Sequence, residues 1–192
     1  MIPADYESLW ALALPYLGVR QNDEHTRYST AFAERLAECC GARRGIVLPA
    51  IILHDTGWST VPEDKILESF GPRTRYPELR RQHEVEGARI AGRLLTQLAY
   101  GPPDIEVITG IIDGHDTRAE ALSIEDAVVK DADKLWRYTR FGLETIRGWF
   151  GYTVAQQLSL LEDWGKTRLF TEPGRHMAIA LLTALKAEYP GA

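Results

Sequence analysis

With 192 residues, 45% of them hydrophobic and 26% charged, the chain is long enough to bury a sizeable core and is neither disordered nor fibrous. A formal net charge of -5 argues against binding duplex nucleic acid, which calls for a basic face. The two cysteines, Cys39 and Cys40, are adjacent, which suits neither a low-strain disulfide nor a secreted framework, so a reduced, cytoplasmic protein is expected.

Taken in chain order, the first twenty residues include the apolar stretch Leu9-Trp10-Ala11-Leu12 but also Asp5, Glu7 and Pro15, without an early basic region. That is not a signal peptide, and no stretch nears the ~18 apolar residues needed to span a bilayer. No membrane partner is expected. A helix is predicted from about Asn22 to Cys40, opened by Asn/Asp and stopped by Gly41. Another runs through Ile46–His54 to Gly57, and a long one begins near Pro77, a suitable first-turn proline, and stops at Gly101. Pro103 starts a helix reaching Gly114. Ser123 and Asp126 resemble a capping box opening Ile124–Tyr138, and Thr153 with Gln156 does the same for a helix ending at Gly165. Pro173 opens the last, which closes near Pro190-Gly191. Between them, Ser59–Tyr76 is the longest irregular stretch, with room for a short helix around Asp64–Phe70, and its length suits a lid or binding loop. Strand-like alternation is nearly absent, and no repeat or linker divides the chain. The expected fold is therefore a single all-α domain over residues 1–192.

Four of the five histidines sit on predicted helices beside apolar residues at helical spacing. His25 lines up with Tyr28, Phe32 and Leu36; His54 with Val47, Ala50 and Ile51; His83 with Gly87, Ile90 and Leu94; His115 with Ile108, Ile111 and Ile112. Each points inward. Buried ring nitrogens need partners, and one shared divalent ion satisfies several at once. The element Leu53-His54-Asp55-Thr56-Gly57 adds a helix end that unwinds at glycine, able to aim an imidazole and a carboxylate at one ion. His176, at the start of the last helix, stands apart and reads as structural or surface.

In order, His25, His54-Asp55, His83, His115 and Lys130-Asp131-Ala132-Asp133-Lys134-Leu135 resemble the HD superfamily of metal-dependent phosphohydrolases, over roughly residues 20 to 140. The resemblance implies an HD-type helical bundle with its metal-binding core there and further helices over 141–192. It implies that His25, His54, Asp55 and Asp133 hold a first metal, and that Asp55 bridges to a second held by His83 and His115. The resemblance favours Asp133 as the distal ligand, since the family's segment commonly reads Lys-x-Ala-Asp-x-Leu, with Asp131 as second candidate. Helical geometry leaves the choice open, though carboxylates two apart on a helix point to different faces and are not expected to share one ion. One or two divalent ions (Mn, Fe, Co, Ni, Zn or Mg) are expected, activating water against a nucleotide or other small phosphorylated metabolite. The sequence departs from the family after His54-Asp55: Trp58 stands where many members place a Glu or Lys. Indole does not transfer protons usefully at neutral pH, so Trp58 is left to stack on a ligand, wall the pocket or pack.

Basic residues flank these positions, which fits a small anionic substrate. Arg118, three residues past His115, and Lys134, beside Asp133, are expected near the chemistry along with Asp55, whereas Arg80 and Arg81 read as solvated surface charges. The aromatic tail from Phe141 is expected to pack, or to offer a homodimer face. Two other readings share the frame. HD-type mixed-valent diiron oxygenases carry the same six ligands, and a non-catalytic metal-stabilised or ligand-sensing module would retain the fold without turnover.

Overall fold

A computed structural model describes residues 2–191, and all regular structure among them is helical. Helices α1 (Glu7–Ala13), α2 (Asn22–Cys40), α3 (Arg44–Leu53), α4 (Glu63–Ile66) and α5 (Pro77–Gln97) are followed by α6 (Pro102–Ile112) and α7 (Ile124–Leu135). Helices α8 (Arg140–Phe150), α9 (Val154–Thr167) and α10 (Glu172–Glu188) complete the chain, and short 3-10 turns cover Thr56–Thr60 and Trp136–Tyr138. The expected all-α class is what the chain adopts.

Helix α3 is the axis of the core. Ile46, Val47, Leu48, Ile51, Ile52 and Leu53 are all at most 2% exposed, which a helix reaches only when it is apolar all round and covered on every side. It packs against α1, α2, α5, α6 and α7. Burying those six side chains stabilises the fold by on the order of 10 kcal/mol before chain entropy is counted. Because α3 is central, the residues at its C-terminal end, His54 and Asp55, emerge in the middle of the molecule.

Several boundaries differ from the sequence expectation for local reasons. Helix α2 is not capped by Asn/Asp: its N-cap is Gln21, left-handed at φ 60°, and Asn22 is turned inward and buried. Its end at Gly41 is as expected, with φ 65° and the glycine amide bonded back to Ala37 and Glu38. Helix α5 stops at Gln97 because Ala99 takes the left-handed turn (φ 58°), so Gly101 is the N-cap of α6 instead of a stop. Ser123 Oγ accepts from the Asp126 amide, but the Asp126 carboxylate turns to Leu122 N and Arg118, so only half of that box forms. The Thr153–Gln156 box is complete. Helices α1 and α8 were not delimited in the sequence, and α9 runs through Gly165 to Thr167.

The C-terminal helices lie against this core through α7. Buried Asp131 accepts from the amides of Phe170 and Thr171 (both 2.8 Å) and from Thr171 Oγ1 (2.7 Å), tying the start of α10 to α7. No helix among the described residues is long and apolar enough to cross a membrane. Cys39 and Cys40 are free thiols, the first exposed and the second partly buried.

Candidate metal centre

Six side chains meet at the end of α3: His25 from the first turn of α2, His54 and Asp55 just past α3, His83 on α5, His115 just past α6, and Asp133 on α7. None is more than 7% exposed. In the first half of the cluster, His25 Nε2 lies 3.0 Å from His54 Nε2 and 3.4 Å from an oxygen of each of Asp55 and Asp133. His54 Nε2 is 3.5 Å from Asp133 Oδ1. In the second half, His83 Nε2 and His115 Nε2 are 3.5 Å apart and lie 3.8 and 3.6 Å from Asp55 Oδ1. Asp55 thus faces all four histidines.

Two groups of side chains bring their ligand atoms close enough to hold a metal ion: His25, His54 and Asp133, and His54, Asp55 and His115. The donor set fits a cation. His54 Nδ1 faces the Ile51 carbonyl at 2.7 Å and His115 Nδ1 faces that of Ile112 at 2.9 Å, so each ring donates there from Nδ1 and turns its Nε2 to the cluster. Imidazole nitrogens and carboxylate oxygens then converge, with neither lysine nor arginine between them. Burial opposes ionisation of Asp55 and Asp133, yet His54, His115 and His25 around the first, and Arg137, His25 and His54 around the second, hold both well below the usual carboxylate range. Burial lowers His25, and lowers His83 to about 4. It also works against charging His115, but the hydrogen bond and charge of Asp55 raise that group to about 9.

The halves are held in place differently. His83 stacks on Trp58 (centroids 3.8 Å apart, 9° between planes), and Trp58 Nε1 donates to Asp55 Oδ1 at 3.1 Å. Trp58 therefore walls the site and orients two of its members. The turn carrying Trp58 presses so closely on α5 that a Cβ added at Gly57 would overlap the carbonyl oxygen of His83 and the amide of Gly87. The loop after α6 is fixed from below by Lys130, whose Nζ donates to the carbonyls of Gly114, His115 and Arg118, each at 2.9 Å. Buried Glu84 accepts from the amides of Asp116 and Thr117 at 2.8 and 2.7 Å.

A cavity of about 410 Å³ opens over His25, Asp55, His115 and Asp133. Asp133 lies with the histidines while Asp131 is taken up by α10, as carboxylates two apart on a helix must be. Lys134 lines the cavity, its Nζ donating to the Lys130 carbonyl at 2.8 Å, and burial pushes its pKa down. Arg118 does not line it. Gly114 (φ 108°) breaks the helical path, so Arg118 turns back onto the Gly110 and Asp113 carbonyls and pairs with Asp126 at 2.9 Å. Arg80, read as a surface charge, instead lines the cavity and grips both carboxylate oxygens of Asp116 at 2.5 and 2.7 Å. Burial opposes ionising Asp116, but Arg80 holds it far below the usual range. Arg81 pairs with Glu84 and Asp113 outside the cavity, and His176 is exposed beside Glu172.

Sequence reasoning missed Asp116 and Arg20, both cavity residues. Asp116 carried a signal: His115-Asp116-Thr117 repeats the triplet His54-Asp55-Thr56. Arg20 carried none, since its placement depends on a left-handed turn.

Helices wrapped around a buried His/Asp cluster at the end of a central apolar helix define a helical domain with a candidate metal centre. The family model for the HD domain matches residues 22–137, and the chain belongs to that family. A crystal structure of a predicted HD superfamily hydrolase from an uncultured Thermotogales bacterium has a similar fold, with a TM-score of 0.64 and 17% identity over 95% of this chain and 87% of that one. No curated protein matches this chain.

Proposed function

We propose that this chain is a metal-dependent phosphohydrolase that cleaves a phosphate ester or anhydride of a nucleotide or small phosphorylated metabolite. The observation that carries this reading is Asp55: one carboxylate faces four imidazoles on the floor of a cavity whose walls carry Arg20, Arg80, Lys134 and Arg137. His25, His54, Asp55 and Asp133 would hold one divalent ion, and Asp55, His83 and His115 a second. Such ions supply Lewis acidity toward phosphoryl oxygens and activate water at neutral pH.

The chain's own residues do the rest. Trp58 keeps Asp55 and His83 in register and excludes solvent from their far side. Arg137 steadies Asp133 from the cavity wall: its Nη1 donates to the Asp133 carbonyl at 2.5 Å and lies 3.7 Å from the carboxylate. Lys134 leaves donors free for a substrate oxygen, and its lowered pKa suits proton transfer to a departing alkoxide.

The test is a screen of phosphate esters and anhydrides with each divalent ion in turn, run on wild type, His54→Ala and Asp55→Ala. Turnover should fall by roughly a thousandfold or more in both variants while each remains folded. Undiminished turnover in both would sink the proposal. Oxygen consumption by the iron-loaded chain without phosphate release would replace it with the oxygenase reading.

A further inference from the structure

The cavity contains a cation that no carboxylate among the described residues pairs with directly, Asp55, Asp116 and Asp133 acting on it only from a distance. Arg20 sits on two consecutive left-handed residues, Arg20 (φ 52°) and Gln21 (φ 60°), a conformation uncommon for side chains other than glycine and concentrated at functional sites. The turn lays its guanidinium among Trp58, Phe70 and Trp149, with Cζ 4.9, 5.0 and 5.1 Å from the ring centroids. Arg20 Nε is shut off from solvent and has no hydrogen-bond partner. Among the described residues no carboxylate lies within ion-pairing distance of Arg20. Its cavity neighbours are different: Arg80 is held by Asp116, Arg137 by Asp133 and Lys134 by a carbonyl, while Arg168 is exposed.

Aromatic faces stabilise a cation in part but leave its N–H edge unsatisfied. Two more buried donors of the same cavity are also unpartnered: Asn22 Nδ2 and Trp136 Nε1, on residues each 2% exposed. Three orphaned N–H donors, against one orphaned acceptor (Gln157 Oε1), and one guanidinium without an ion-pair partner share a chamber that opens beside the His/Asp cluster. The arrangement is complementary to an oxyanion, and a planar guanidinium can present two parallel donors to phosphate or carboxylate.

We infer that Arg20, with Asn22 and Trp136, forms an oxyanion-binding subsite in the cavity that holds an anionic group of the substrate. As a substrate contact this rests on the phosphohydrolase reading; as an oxyanion site it stands on the cavity alone. Arg20 is then a specificity-determining residue, and its left-handed turn is the means by which the chain places a guanidinium in the cavity out of ion-pairing reach of the carboxylates there.

The experiment is calorimetric titration of inorganic phosphate and of phenylphosphonate, a monoester mimic that is not hydrolysed. It is run on the metal-free and metal-loaded chain in wild type, Arg20→Met, Arg20→Lys and Asn22→Leu. Arg20→Met should weaken binding about tenfold to a hundredfold in both forms. Arg20→Lys should recover part of the loss, since it restores the charge without the fork. Asn22→Leu should weaken binding by about threefold to tenfold. Metal content should not change, and Arg20→Met should melt no lower than wild type, because it removes a charge with no partner. Affinities within twofold of wild type in Arg20→Met, or in Arg20→Lys and Asn22→Leu should Arg20→Met not fold, overturn the inference. So does a wild-type chain that binds neither probe. Arg20-dependent binding in a chain that hydrolyses no phosphate ester keeps this site and removes the phosphohydrolase reading alone.

Discussion

The two halves of the cluster are built from different material. His25, His54 and Asp133 stand on α2, α3 and α7, which pack together through the apolar core, and their ligand atoms lie 3.0–3.5 Å apart. His83 and His115 stand on α5 and a loop. They are steadied by polar contacts from Lys130 and Glu84 and by the aromatic face of Trp58, and sit 3.5–3.8 Å from each other and from Asp55. The first half inherits its geometry from hydrophobic packing, which is hard to disturb locally. The second depends on a few buried hydrogen bonds, each of which can be removed by one substitution. A core-built half is suited to hold an ion permanently, and a loop-built half to tune or exchange one.

Asp55 joins the halves, so Asp55→Ala should erase the contrast. Metal content is expected to fall to background, read by elemental analysis, and any phosphatase turnover by roughly a thousandfold or more. His83→Ala should reduce the metal-to-protein ratio by about one ion in a two-ion centre while His25→Ala disrupts both halves. Equal losses in the two variants would show that the halves are one unit.

Lys130→Met tests the polar scaffold. Three buried carbonyls lose their donor, at a cost of about 3 kcal/mol and a fall in Tm of roughly 6–12 °C. The remaining protein should bind its second ion more weakly than its first. A variant that melts like wild type would mean that the loop after α6 holds itself.

Acidity offers a gentler probe. With its pKa raised to about 9, His115 carries a proton at pH 7 that an incoming ion must displace, whereas burial keeps His25 below its ordinary value and neutral there. Second-site affinity should therefore rise about tenfold per unit from pH 7 toward 9 and level off above, while the first site stays nearly flat. Titrations at several pH values that give parallel curves for both sites would contradict this assignment. Smallest of all, Asp131→Asn should lower stability by about 1–2 kcal/mol through the α10 anchor and leave metal content unchanged, which separates it from Asp133.

The ligands were legible in the sequence because five of the six lie on helices or helix ends, where 3.6-residue spacing states which face is buried. His115, just past the end of α6, still followed the apolar stripe of that helix, but the choice of Asp133 over Asp131 came from the family resemblance, since helical spacing left both open. Arg118 shows where the rule stops: three residues beyond His115 it would share a face of a continued helix, but α6 ends at Ile112 and the left-handed Gly114 redirects the chain, so Arg118 turns away. Arg80 was misread because its partner, Asp116, is 36 residues distant, and no local pattern announces a pair that tertiary packing creates. Arg20 was invisible for another reason, since left-handed backbone at a residue other than glycine has no compositional mark. Ala99 hid the end of α5 in the same way.

Four of the five tryptophans, Trp58, Trp136, Trp149 and Trp164, line the one cavity, leaving only Trp10 elsewhere. The intrinsic fluorescence of the chain is thus concentrated around its ligand chamber. A paramagnetic ion at Asp55 should quench most of that emission, and a ligand displacing solvent from the aromatic wall should shift its colour. The protein carries its own optical gauge of occupancy, readable without a label.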